Sequence, residues 1–333
     1  MWPEVVLELA PRGTDDAEIV WEWHSWDHLI QNFDPDAANY GVLSEHPELG
    51  DINTDAQEIS GAEIQALLAG DEIALQDAEE SPNAPDLMHL NGITYNPTLD
   101  QIIVSSNGFS EFWIIDHSTT TQEAAGSAGG RQAMGGDILY RWGRASNYDR
   151  GGDRPQTLFN QHHVRWIEDG LPGAGNITAF LNNFPGPRGN QSAVVEIVPP
   201  TDEDGDYIVP DEEQFGPEHP AWVYMAPDAK SFHSHFISGA HRLSNGHTFI
   251  NSGAQGRFFE VTPEGEIVWE YWNPYSGEST LPHHEFLARS NAALYMAFRA
   301  TKIEPDHPAL AGRDLRPLDP QPAPIPHPVF EEP

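Results

Sequence analysis

The chain has 333 residues, with 52 Asp and Glu against 16 Lys and Arg, so its formal net charge is −36. Such a negative field repels phosphate backbones and anionic headgroups, which speaks against nucleic-acid binding and a basic membrane patch. The chain has no cysteine, which excludes thiol catalysis, cysteine zinc sites, iron–sulfur clusters and disulfides. No stretch approaches the roughly 18 apolar residues of a membrane-spanning helix. A carboxylate-rich surface suits a halophilic protein that stays soluble in high salt.

Two kinds of hairpin are predicted to alternate along the chain. The outer hairpin joins an apolar strand through a turn to a strand that ends in Trp or Tyr, and its copies are residues 5–23, 112–142, 194–224 and 257–271. The inner hairpin opens on histidine, and its copies are residues 89–106, 162–182, 235–251 and 284–298. The third inner hairpin contains Asn245-Gly246, a strong short-range hairpin signal. This pattern of short strands and turns predicts an all-β protein.

Each inner hairpin together with the following outer hairpin makes a four-stranded unit, and repeated four-stranded units favour a β-propeller over the alternative, a generic β-sandwich. The chain starts on an outer hairpin and ends on an inner one. If these two join in one blade, the chain makes four blades and leaves no exposed strand edge. We predict one propeller domain over residues 1–313, with an acidic insertion at 34–86 that is weakly helical at 62–68. We expect a second acidic loop at 200–220 and an extended Pro-rich tail at 314–333.

Histidines in register open every inner hairpin, and we predict that they converge on a central funnel. They are His89, His162 with His163, His233 with His235, and His283 with His284. Histidine can act as nucleophile, proton donor or metal ligand, so the histidines alone do not choose a chemistry. The alternatives are histidines that bond to neighbouring blades, or a surface cluster.

Two arginines near the same openings narrow the choice. In a chain with so few cations, Arg188 and Arg257 predict a local positive site. Guanidinium groups match tetrahedral oxyanions such as sulfate or phosphate. We therefore predict an oxyanion site that draws on these histidines and on Arg188 and Arg257. The predicted substrate-binding residues beside them are Asn91, Gln161, His163, Asn183 and His235.

Four strings carry a resemblance to a known family. They are WEWHSWDHLIQ at 21–31, HLNGITYNP at 89–97, FWIIDHSTT at 112–120 and GRFFEVTP at 256–263. They resemble the bacterial arylsulfotransferases, and in particular the large branch of uncharacterised arylsulfotransferase-like proteins. The resemblance extends from Trp2 to Arg313. It implies a propeller, six-bladed in the family, and transfer of a sulfuryl group from a phenolic sulfate ester to another phenol. The reaction implied needs no nucleotide donor and no cofactor, and it passes through a sulfated histidine.

The family's site residues carry over by motif. His89 and His162 match two pocket histidines, and Arg188 matches the pocket arginine. With Arg257, these are the catalytic residues that the resemblance implies. The sulfated histidine aligns near the start of the strand at Arg257, where this chain has no histidine between Ala254 and Phe259. The relatives also have about two more blades before Trp2. We expect either that this sequence begins inside a longer protein or that two blades have been deleted. In the first case, an apolar side of the propeller would be exposed and would pair in a homodimer.

Three other functions remain open on the residues alone. A lyase for acidic polysaccharides would use His as a base and Arg to neutralise a uronate carboxylate. A hydrolase would hold zinc if His89, His162 and His235 converged. The third reading is a catalytically silent binding propeller. The expected partners of a sulfotransferase are a small phenolic sulfate and a phenol. Family members are often exported, but Met-Trp-Pro-Glu does not read as a signal peptide, so the compartment is not indicated.

Overall fold

The computed structural model describes residues 4–54, 86–151, 156–186, 189–203, 205–209, 211–273 and 295–316. The chain divides into two compact units, which are described separately. The first unit contains residues 1–158 and 199–219, and the second contains residues 159–198 and 220–333. Among the described residues, no helix is long and apolar enough to cross a membrane.

The first unit is built on a four-stranded antiparallel sheet. Its strands lie side by side in chain order: β5 (Leu90–Asn96), β6 (Gln101–Ser106), β7 (Glu111–Asp116) and β8 (Ile138–Trp142). An antiparallel hairpin precedes it, made of β1 (Val5–Arg12) and β2 (Asp16–His24), and a short parallel pair joins β3 (Leu29–Ile30) to β4 (Gly50–Asp51). Helix α1 (Thr121–Ala124) begins with a capping box between Thr120 and Glu123. Single 3-10 turns lie at Ser25–His28, Leu43–Glu45 and Ala145–Tyr148.

Burial explains the sequence of these strands. Every residue of β6, β7 and β8 is buried, so both faces of these strands carry apolar side chains in their central parts instead of alternating with polar ones. On the β1–β2 hairpin, Val6, Trp21 and Trp23 pack into the same core as Trp113 and Ile115. The outward side chains of that hairpin are exposed, which gives the alternating pattern of a half-buried sheet.

A buried ion pair fastens the start of the acidic insertion to the sheet. Arg141 Nη2 lies 2.5 Å from Glu111 Oε2, and both side chains are fully buried. The other terminal nitrogen of Arg141 donates to the backbone oxygens of Pro47 and Leu49, at 3.1 and 2.8 Å. The part of the insertion at residues 34–54 is therefore packed against the unit, and the predicted helix at 62–68 lies outside the described residues.

The second unit consists of two four-stranded antiparallel sheets. The first contains β9 (His162–Trp166), β10 (Ile177–Gly186), β11 (Gly189–Ile197) and β12 (Trp222–Tyr224), and the second contains β13 (Gly239–Arg242), β14 (Thr248–Ser252), β15 (Arg257–Val261) and β16 (Ile267–Trp272). Within each sheet the strands again lie in chain order. Single 3-10 turns lie at Ala229–Ser231, Gly253–Gln255 and Pro308–Leu310.

Aromatic side chains fill the core of the second unit. Phe232 meets Phe180 and Phe259 edge to face, with ring centroids 5.6 and 5.3 Å apart. Phe180 belongs to β10 and Phe259 to β15, so this contact packs one sheet against the other. Edge-to-face pairs at such distances add stability beyond the apolar area that they bury. The loop that carries Phe232 is thereby held between the two sheets.

The predicted architecture is confirmed. The chain is all-β, and its three complete predicted units are the up-and-down sheets β5–β8, β9–β12 and β13–β16, the kind that forms propeller blades. The first outer hairpin is β1–β2. Most of the last inner hairpin, at 284–298, and most of the 314–333 tail lie outside the described residues. Closure of a fourth blade and a single domain over residues 1–313 therefore stay predictions.

Candidate functional site

His89 lies at the start of β5 in the first unit and is half exposed, with 54% of its side chain accessible. Its Nδ1 lies 2.6 Å from Asp86 Oδ2. Since a carboxylate accepts, Nδ1 carries a proton, and in the neutral form of the ring the lone pair therefore lies on Nε2. Within the described part of the chain, Nε2 has no hydrogen-bond partner. The backbone of His89 has a φ of 45°, a left-handed conformation that is uncommon for histidine, and its carbonyl accepts a bond from Asn107 N. Asn91 follows in β5 and is half-buried.

His162 opens β9 in the second unit, and its tautomer is set by Asn182. The amide nitrogen of Asn182 donates to the backbone oxygens of Ser234 and Ile237, at 2.6 and 2.9 Å. Its Oδ1 is therefore the acceptor that faces His162 Nδ1 at 2.7 Å. The carbonyl of Asn160 also faces this nitrogen, at 3.3 Å. His162 thus carries its proton on Nδ1 and its lone pair on Nε2, the form that a nucleophile or base requires.

A β-bulge explains why two successive asparagines of β10 both hold a histidine. Leu181 pairs with Ala193 and Phe184 pairs with Gln191, so Asn182 and Asn183 together oppose the single residue Ser192. A bulge of this kind re-aims side chains that would otherwise point to opposite faces of the strand. Here the bulge supplies one asparagine to His162 and the next to His233.

Asn183 joins His233 and His235 to the same group of side chains. His233 Nε2 lies 3.2 Å from Asn183 Oδ1, and Asn183 Nδ2 donates to Asn160 Oδ1 at 3.0 Å and to His235 O at 3.4 Å. Burial, followed by the neighbouring His235, lowers the pKa of His233, and burial lowers the pKa of His235. Both rings are therefore neutral near pH 7.

His163 faces different surroundings from His162. Its φ of 53° breaks the alternation of an extended strand, and its ring lies against Gly239, where an added Cβ would come within 2.4 Å of Nδ1. Burial, and after it Arg299 and Arg165, hold the pKa of His163 well below its ordinary value. Burial also lowers the pKa of His241, in β13, to about 4. These histidines form a neutral, buried group beside the cations of the unit.

The remaining predicted residues are placed as follows. Arg257 is buried, its Nε donates to Glu270 Oε1 at 2.6 Å, and its Nη1 donates to Ser231 O at 2.8 Å. Its guanidinium also lies 4.4 Å from the ring centroid of Phe259. Gln161 is fully buried. Arg188 lies outside the described residues, between strands β10 and β11.

The structure thus brings together one predicted group, in the second unit. His162, Asn183 and His235 belong to a hydrogen-bonded network that Asn160 completes. His89 and Asn91 lie in the first unit, and the catalytic and binding roles assigned to all these residues stay predictions. No group of three His, Asp or Glu side chains suited to a metal ion occurs in the described ranges.

The residues that orient the histidines were not predicted from the sequence. Asp86, Asn160 and Asn182 were not among the predicted site residues, although their contacts set the tautomers of His89 and His162. A signal was present for one of them, because asparagine is depleted in strands and an Asn-Asn pair inside a predicted strand is unusual. Nothing in the local pattern marks Asp86 or Asn160.

Comparison with known proteins identifies the family but not a close relative. No curated protein matches the chain. The similar solved structures include a Bacteroides caccae protein of unknown function, with 9% identity, TM-score 0.30, and coverage of 56% of this chain and 46% of that one. They include a streptogramin B lyase, with 12% identity, TM-score 0.30 and coverage of 64% and 45%. They also include virginiamycin B lyase from Staphylococcus aureus, with 12% identity, TM-score 0.26 and coverage of 56% and 56%.

The chain spans about half the length of these solved structures, and at such TM-scores they do not bear on its function. The family comparison is different in kind, because the profile described as Arylsulfotransferase (ASST) matches residues 12–276. That match covers more than half of the chain, including strands β2 to β16. The chain therefore belongs to the arylsulfotransferase family.

Proposed function

We propose that the protein transfers a sulfuryl group from a phenolic sulfate ester to a phenol, without a nucleotide donor. Family membership supports this reaction class. The observation that carries the proposal is the fixed tautomer of His162, because Asn182 keeps the proton on Nδ1 and the lone pair on Nε2. His89 has the same arrangement through Asp86. In the neutral form of such a ring, the Nε2 lone pair is suited to attack on sulfur or to proton transfer.

The bonds of the proposed reaction balance in two steps. In the first, a histidine Nε2 forms a bond to sulfur while the bond from sulfur to the phenolic oxygen breaks, and the departing phenolate takes a proton from water. In the second, the acceptor phenol forms an oxygen–sulfur bond, the nitrogen–sulfur bond breaks, and the phenol loses its proton. Alternatively, the acceptor attacks the donor ester directly and no histidine is sulfated.

Charge stabilisation is the other requirement. By analogy with phosphoryl transfer, the transition state is loose and places negative charge on the sulfuryl oxygens and the leaving phenolate. Fixed cationic and hydrogen-bonding groups must lie there before the reaction begins. We assign Arg188 to the sulfuryl oxygens as its predicted role. Arg257 has the same assignment, although its Nε and Nη1 are engaged by Glu270 and Ser231.

The test is nitrophenol release from 4-nitrophenyl sulfate, with and without a second phenol, across a series of salt concentrations. We expect release that depends on the acceptor phenol. His162→Ala and His89→Ala identify which histidine is required, and His219→Ala is the matched control because 83% of that side chain is exposed. Mass spectrometry of the protein incubated with donor alone then identifies any sulfated peptide. Folded protein that releases no nitrophenol in any salt would contradict the proposal and favour a binding propeller.

A further inference from the structure

His233 is a histidine of the network to which the proposed reaction assigns no role. It lies in the loop before β13 and is half-buried. Asn183 uses its amide nitrogen to donate to Asn160 Oδ1 and to the carbonyl of His235, at 3.0 and 3.4 Å. Its Oδ1 must therefore accept the bond from His233 Nε2, at 3.2 Å. His233 consequently carries its proton on Nε2 and its lone pair on Nδ1.

The protonation state of this ring suits a base. Burial, and then His235 with its ring centroid 6.5 Å away, lower the pKa of His233. The imidazole is neutral near pH 7 and its basic nitrogen is Nδ1. Among the described residues, Nδ1 has no hydrogen-bond partner. The half-buried ring can therefore receive a proton from a bound molecule.

The network connects His233 to His162. The backbone oxygen of Asn160 faces His162 Nδ1, and the side-chain oxygen of Asn160 accepts a hydrogen bond from Asn183. Asn183 in turn holds His233. The bulge in β10 places Asn182 and Asn183 opposite the same residue of β11, which is why neighbouring asparagines serve neighbouring histidines. Two imidazoles with fixed and different tautomers are thus part of one group of side chains.

We propose that His233 is a further catalytic residue, which accepts the proton of the acceptor phenol on Nδ1, and that Asn183 is its positioning residue. This inference rests on the proposed function. A phenol with a pKa of about 10 is protonated at neutral pH, so it needs a base as it attacks. Its O–H bond breaks as its oxygen–sulfur bond forms, and the bond from sulfur to its previous carrier breaks. His233 then returns the proton to water.

The test compares two acceptor phenols in His233→Gln. The glutamine amide can still donate to Asn183 Oδ1, so the structural contact is kept while the basic nitrogen is lost. With an acceptor phenol of pKa near 10, we expect the transfer rate to fall about a hundredfold or more. With an acceptor that is already ionised at the assay pH, the rate stays within a few-fold of wild type. His219→Gln is the control, because 83% of that side chain is exposed.

Two outcomes would overturn the inference, and they differ. In the first, the wild-type protein transfers the sulfuryl group, but His233→Gln lowers the transfer rate equally for both phenols or for neither. That result overturns the role of His233 and leaves the proposed function standing. In the second, the wild-type protein transfers the sulfuryl group to neither phenol. That result overturns both the proposed function and the role of His233. If His233→Gln does not fold by circular dichroism, Asn183→Ala replaces it. That variant keeps His233 but frees its tautomer, and its loss should again be confined to the protonated phenol.

Discussion

Asn182→Ala provides the sharpest test of the network, because the asparagine side chain satisfies three buried groups at once. It serves the carbonyls of Ser234 and Ile237 and the Nδ1–H of His162, at 2.6, 2.9 and 2.7 Å. A buried polar group left without a partner costs about 1–3 kcal/mol. The Ser234 carbonyl keeps a contact with Ser192 Oγ at 3.4 Å, and His162 Nδ1 keeps one with the Asn160 carbonyl at 3.3 Å, so the Ile237 carbonyl carries most of the cost. We expect the free energy of unfolding to fall by about 2–4 kcal/mol.

The matched control is Asn183→Ala, the next residue of the same bulge. Both variants replace Asn by Ala in the same strand, so the change in intrinsic strand propensity is the same. The hydrogen bonds of the Asn183 side chain are longer, at 3.0 to 3.4 Å, and partly exposed, so water can replace them. We expect a loss of about 0.5–1.5 kcal/mol. The measurement is urea unfolding followed by circular dichroism, with the slope against denaturant compared between variants. Equal losses for the two variants at equal slopes would refute the assigned importance of Asn182.

Three further predictions concern stability. Glu111→Ala leaves Arg141 buried without its partner, so urea unfolding should show a loss of about 3–5 kcal/mol, and a loss below about 1 kcal/mol would contradict the burial argument. Gly239→Ala places a methyl group within 2.4 Å of His163 Nδ1, and thermal unfolding should show a destabilisation of about 1–3 kcal/mol, whereas an unchanged melting temperature would exclude the contact. Burial lowers the pKa of His241 from 6.5 to about 4, so the unfolded state binds more protons in that window. The contribution of His241 to the free energy of unfolding should therefore fall by about 3 kcal/mol as the pH is lowered from 6.5 to 4. In His241→Gln, the free energy of unfolding should depend less steeply on pH over this range, and an unchanged slope would contradict the prediction.

The histidine network shows why part of the site was predictable and part was not. His162 and His235 were predicted because histidines recur at the openings of the inner hairpins, and a repeat makes such positions visible in one dimension. Asn183 was predicted from the segment that precedes Arg188. Asn182 was missed because its importance depends on a bulge. The bulge is a mismatch of register between β10 and Ser192 of β11, and register is a property of two strands.

Charged residues illustrate the same limit. Arg257 was predicted as an oxyanion ligand because cations are few in this chain, but its contacts with Glu270 and Ser231 depend on β16 and on a preceding loop. Asp86 orients His89 from three residues away, and one acidic residue among 52 gives no signal of that role.

By itself the sequence determined the fold class, the three complete four-stranded units and the family resemblance, which the profile match confirmed. These properties follow from local patterns, since strand alternation, turn residues and family-like sequence strings are all contained within short segments. The tertiary structure decided which nitrogen of His162 and His233 carries the proton. That choice depends on donors and acceptors brought together from distant segments, because a tautomer is set by the partner that each ring nitrogen meets in space.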